Sequence, residues 1–126
     1  MRSSFLMKIF LDTADTDIIS KYFSTGLVDG VTTNPTLIMK SGKNPEDVYQ
    51  TIKDIGVRDI SMEVVGSDLE MYDEGLRLYQ KFGDVATIKV PCTREGLIVC
   101  KRLSEQGIKV NVTLIFCAAQ AVLAAK

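Results

Sequence analysis

Five times along this 126-residue chain a short β-rich run gives way to a helical stretch, and that alternation constrains the fold more than any other feature. The predicted strands are Lys8–Thr13, Val28–Thr33, Asp59–Val65, Val85–Val90 and Lys109–Thr113. Strands that alternate strictly with helices must run parallel, because each helix carries the chain back to the end where the next strand starts.

The helices are punctuated by their caps. Asp15 can cap the first, with Ile18, Ile19, Tyr22 and Phe23 as its apolar face and Gly26 at its end. Asn44-Pro45-Glu46 opens the second main helix, which carries Val48, Ile52 and Ile55 before Gly56. Ser67 or Asp68 opens the third, with Leu69, Tyr72, Leu76 and Tyr79 on one side and Gly83 beyond its end. Thr93 opens the fourth, which Gly107 closes, and a fifth is expected from about Leu114 to Lys126 with no stop signal.

A parallel sheet with both faces covered should be apolar at nearly every strand position. These strands are apolar on one parity only. Ile9 and Leu11 oppose Lys8, Phe10 and Asp12; Ile60, Met62 and Val64 oppose Ser61 and Glu63. Ala86, Ile88 and Val90 oppose Thr87 and Lys89, and Val110 and Val112 oppose Lys109, Asn111 and Thr113. A half-exposed sheet would give the same pattern. A (β/α) barrel explains it better: one parity meets the helices, the other points inward, and the C-terminal strand ends build the site. A doubly wound sheet usually has a glycine-rich phosphate loop after its first strand, whereas Asp12-Thr13-Ala14-Asp15 is acidic and glycine-free.

Composition narrows the chemistry. Fifteen Lys and Arg against 16 Asp and Glu leave no basic excess for nucleic acid or a membrane surface. With no histidine, acid–base work falls to carboxylates, lysine or tyrosine, and an imidazole metal site is not expected. Cys92, Cys100 and Cys117 form no CxxC pair and read as reduced thiols of a cytoplasmic protein. The first six residues are too short and polar for a signal peptide, Met7 reads as an alternative start, and no apolar run approaches a membrane span.

In a closed barrel, Asp12, Asn34, Glu63, Lys89, Asn111 and Thr113 would converge on one cavity. Lys89 is the informative member, since Ile88-Lys89-Val90-Pro91 sets a lysine within an apolar strand. An amine in a dry pocket loses part of its preference for the ammonium form, and the neutral amine is a nucleophile that condenses with a ketone to an imine. The imine is an electron sink that lets a neighbouring carbon–carbon bond break. Asp12 and Glu63 are the candidate proton-handling groups. Each residue also has a plain structural role open to it: a snorkelling lysine, a Glu63–Lys89 ion pair, helix caps at Asp12 and Thr113, or a turn at Asn34-Pro35.

Phe10-Leu11-Asp12-Thr13-Ala14, Gly30-Val31-Thr32-Thr33-Asn34-Pro35-Thr36-Leu37, Glu63-Val64, Ile88-Lys89-Val90-Pro91 and Asn111-Val112-Thr113-Leu114-Ile115-Phe116 resemble the transaldolase family in order and spacing, from Met7 to Lys126. The likeness is strongest to the short single-domain transaldolases and their fructose-6-phosphate aldolase sisters. It implies an α/β chain of the (β/α)8 barrel class: a single partial domain over residues 1–126 that supplies five of eight βα units and is truncated relative to the family.

The resemblance also implies roles. Lys89 would form the Schiff base with a ketose phosphate, and Asp12 would take the C4 hydroxyl proton. Glu63 and Thr113 would hold the water of imine formation, while Thr33, Asn34 and Asn111 would bind the dihydroxyacetone unit. The family's Ser-Pro-Phe segment, with its phosphate-binding Arg shortly after, would follow the fifth unit. Sugar phosphates are the expected partners, with no cofactor, no metal, no nucleic acid and no membrane, in a homo-oligomer. Glu63, where the aldolases typically carry Gln, and Asn111 favour transfer in the pentose phosphate pathway over simple cleavage. A fructose-6-phosphate aldolase-like lyase and a catalytically inert barrel fragment are the alternatives.

Overall fold

The computed structural model describes residues 8–113. The expected fifth helix, the Met7 start and Cys117 lie outside the described residues. The chain divides into two compact units, Met1–Ile60 and Ser61–Lys126.

The first unit holds β1 (Phe10–Asp12), α1 (Thr16–Phe23), β2 (Gly30–Thr32), α2 (Pro35–Ser41) and α3 (Pro45–Ile55). β1 and β2 pair in parallel, Phe10 against Gly30 and Asp12 against Thr32. Both strands are shorter than predicted. At their start the Ile9 amide donates to the Asp29 carboxylate at 2.7 Å while the Ile9 carbonyl accepts from the Asp29 amide, so one residue supplies both partners there. Ile19, Val31, Ile38, Val48, Ile52 and Val57 form this unit's core, with α1 against α3. Of the predicted α1 face, only Ile19 is buried, while Ile18 is 43% and Tyr22 46% exposed. α2 was not foreseen as a separate element. Asn34 caps it, Pro35 starts it and Gly42 ends it in the left-handed region.

The second unit takes in β3 (Ile60–Glu63, which begins at the boundary), α4 (Asp68–Phe82), a 3₁₀ turn at Gly83–Val85, β4 (Ala86–Pro91), α5 (Arg94–Glu105) and β5 (Lys109–Thr113). The predicted apolar parity holds here without exception through β3 and β4. Met62, Val64, Ala86, Ile88 and Val90 are all buried, and β4 packs against both α4 and α5. Each of these side chains larger than Ala86 contributes about 1.5–3 kcal/mol on burial.

The buried face of α4 differs from the expected one. It runs through Met71, Gly75, Leu78 and Phe82, while Leu69 is 60% exposed and Tyr72, Leu76 and Tyr79 flank it. Gly75 is the reason. A Cβ there would stand 2.9 Å from Leu103 Cδ1 and 3.4 Å from Ile88 Cγ2, so the glycine marks where α4 comes closest to α5 and β4. Across the two helices Arg102 stacks on the Tyr72 ring at 3.9 Å.

Candidate active site

In the second unit the site residues are set by strand register. β4 and β5 pair Thr87 with Lys109, Lys89 with Asn111 and Pro91 with Thr113. The Val64 amide donates to the Lys89 carbonyl at 3.0 Å, which puts Glu63 level with Lys89 on the neighbouring strand. Level residues of parallel strands share a face, so Glu63, Lys89 and Asn111 form a row across three strands. One layer below them sit Ser61 and Thr87, both buried. Glu63 and Lys89 are half-buried, Asn111 is exposed, and the Thr113 side chain lies outside the described residues.

A side-chain bond ties this face together. Asn111 Nδ2 donates to Ser61 Oγ at 3.1 Å, from β5 to β3, over the intervening β4. Alternate strands stand roughly 10 Å apart, and side chains perpendicular to a flat sheet would not close that gap. The polar face is therefore concave, as the inside of a barrel is.

Glu63 and Lys89 are not an ion pair. Neither charged group has a hydrogen bond or ion pair with another of the described residues, which leaves both open to a ligand. Behind them, α5 presses on the end of β4. A Cβ at Gly96 would lie 1.9 Å from the Pro91 carbonyl oxygen, so only glycine lets the helix seat there. Thr93 caps α5 by accepting from the Gly96 amide at 3.0 Å.

In the first unit Asp12 ends β1, level with Thr32. Thr32 Oγ1 donates to the Asp12 carboxylate at 3.0 Å and holds it on the same face. Below this pair Phe10 lies over Gly30, where a Cβ would meet the ring at 2.4 Å. Thr33 has the opposite parity, that of Val31, and is fully buried. Sequence reasoning named Thr33; the hydroxyl beside Asp12 belongs to Thr32. Asn34 Oδ1 accepts from the Leu37 amide at 2.9 Å as the α2 cap, which leaves its amide N–H groups for any ligand. A groove of about 380 Å³ opens beside the end of β1, lined by Thr13, Asp15, Thr16, Leu37, Lys40 and Lys43 among others.

Ser61 and Thr32 were both missed as supporting residues. The parity of Ser61 with Glu63 was the available signal. Among the described residues no group of three His, Cys, Asp or Glu side chains could hold a metal ion, and Cys92 and Cys100 are free thiols.

Residues 9–126 match the family model described as Transaldolase/Fructose-6-phosphate aldolase. The chain belongs to this family. It is 53% identical over 121 residues to a probable transaldolase of Nitrosopumilus maritimus (strain SCM1), covering 95% of this chain and 54% of that protein. It is 52% identical over 121 residues to one from Anaeromyxobacter dehalogenans (strain 2CP-C), covering 95% and 55%. A third, from Paracoccus denitrificans (strain Pd 1222), is 53% identical over 121 residues, again covering 95% and 55%. The chain thus spans about half the length of the curated relatives it matches. Its five parallel strands and their helices are part of the family's (β/α)8 barrel.

Proposed function

We propose that this chain carries the imine-forming machinery of a transaldolase, moving a dihydroxyacetone unit from a ketose phosphate to an aldose phosphate. The observation that carries the reading is the row Glu63, Lys89 and Asn111 on one concave polar face, with the amine and the carboxylate both unengaged by the other described residues. The Lys89 amine attacks the C2 carbonyl of fructose 6-phosphate or sedoheptulose 7-phosphate, and the carbinolamine loses water to give an iminium. Asp12, held by Thr32, takes the C4 hydroxyl proton. The C3–C4 bond breaks, its electron pair moves into the iminium as an enamine, and an aldose phosphate leaves. The enamine then adds to the aldehyde of a second aldose phosphate, and water releases the product.

Glu63, with Thr113, manages the water lost and regained. Asn34 offers N–H donors and Asn111 a carbonyl acceptor to the hydroxyls of the bound three-carbon unit. Thr33 is fully buried at the end of β2, and its part in holding the three-carbon unit is through its main chain. The reading places the chain in the cytoplasmic pentose phosphate pathway. No helix among the described residues is long and apolar enough to cross a membrane. Self-association is part of the proposal, since Ile9, Ile18, Tyr22 and Leu27 of the first unit are exposed.

The test is to supply fructose 6-phosphate with and without an aldose phosphate acceptor and follow the carbon. Transfer to the acceptor with little free dihydroxyacetone supports the transaldolase. Free dihydroxyacetone without acceptor would make it an aldolase-like lyase, and no turnover would mark an inert fragment.

A further inference from the structure

We propose that Ser61 is a positioning residue for this chemistry: it holds the Asn111 amide so that the Asn111 carbonyl oxygen faces the imine carbon's substituents. The inference rests on the transaldolase reading and names a residue to which that reading gives no role. Three observations carry it. Ser61 is fully buried one layer beneath Glu63, so its hydroxyl is no surface ornament. Its Oγ accepts from Asn111 Nδ2 at 3.1 Å, a bond that spans β4 from below Lys89. Asn111 is level with Lys89 on the adjacent strand, and its side chain has no other partner among the described residues.

The consequence follows from the amide's two ends. An exposed asparagine turns freely and offers a donor or an acceptor to whatever approaches. With one Nδ2 N–H committed to Ser61, the amide plane of Asn111 is fixed and its Oδ1 is held in one direction, as an acceptor for an O–H donor of the substrate. A bound dihydroxyacetone unit carries a hydroxyl on each side of its imine carbon, and either hydroxyl can donate. Ser61 therefore fixes which way Oδ1 faces, so that it can accept from such a hydroxyl, acting through Asn111 and touching no substrate.

The experiment is a double-mutant cycle of Ser61→Ala and Asn111→Ala in the 126-residue chain. It reads the fructose 6-phosphate concentration that half-saturates borohydride trapping, and the side-chain amide resonances of Asn111 by ¹⁵N NMR. Ser61→Ala should raise the half-saturating concentration about three- to tenfold, the effect of one hydrogen bond, with little change in the maximal adduct. In the Asn111→Ala background it should add nothing, because Ser61 acts only through that amide. Ser61→Thr, which keeps the hydroxyl, should restore affinity. Equal effects of Ser61→Ala in both backgrounds would overturn the proposal. The NMR arm stands apart from catalysis: the Asn111 amide protons should shift and exchange faster in Ser61→Ala. Should wild type give no adduct, the transaldolase reading fails, and unchanged amide resonances in Ser61→Ala would sink the positioning claim on its own.

Discussion

Asn34 and Asn111 put the same side chain to opposite uses. The first uses its carbonyl on the α2 cap and keeps its N–H donors, while the second uses one amide N–H on Ser61 and keeps its carbonyl. Asp12 is fixed by a single hydroxyl, that of Thr32. If Asp12 is the base, Asp12→Asn should still form the imine but should not cleave it. Borohydride would then trap the intact six-carbon sugar, and mass mapping would find no three-carbon adduct; a three-carbon adduct in this variant would remove Asp12 from that role. Most of these residues could be named from the chain because strand parity exposes a charged group among apolar ones. Thr32 could not. In Thr32-Thr33 two identical residues stand side by side where a three-residue strand ends, Thr32 its last residue and Thr33 just beyond it, so only the register says which one faces Asp12. Ser61 was invisible as a partner because nothing in a sequence tells how far a sheet curves.

Helix caps were the most legible part of the elements. Asp15, Asn44, Ser67 and Thr93 each accept from amides of the turn they open, as their residue types demand. At α4 the cap is reciprocal, with Ser67 bonded to the Glu70 amide and Glu70 to the Ser67 amide. These bonds from Ser67 lower the Glu70 pKa below its ordinary 4.5. A carboxylate with a depressed folded pKa contributes stability in full above its unfolded pKa, and loses it as pH falls through the folded value. The stability gap between wild type and Glu70→Ala should therefore be constant at neutral pH and close below about pH 4.5 in urea titrations; a gap that widens on acidification would contradict the box.

The face of α4 was misread because Gly75 contributes contact without hydrophobicity, and α2 was missed because seven residues hold too little periodicity to show. Contact through glycine also sets the second element-scale prediction. Gly96→Ala must push α5 off the Pro91 carbonyl, at a cost of about 1–3 kcal/mol, seen as a lower urea midpoint. A midpoint unchanged from wild type would mean that the helix is not seated there.

At the scale of the whole molecule, alternation and parity were enough to reach a parallel α/β fold of the barrel class, and the family match bears this out. The division into two compact units, with its break inside β3, was not legible, since the break falls within a strand whose alternation runs on without interruption. Each unit carries its own share of the polar strand ends: Asp12, Thr32 and Asn34 in the first, and Ser61, Glu63, Lys89 and Asn111 in the second. The chemistry proposed for them hangs on one amine.

Reduction with borohydride in the presence of fructose 6-phosphate, followed by peptide mapping, tests that amine directly. The account predicts a single stable adduct on the peptide that contains Lys89, and none in Lys89→Met. Wild-type chain left unmodified at Lys89, beside a full-length family member that is labelled under the same conditions, would contradict it.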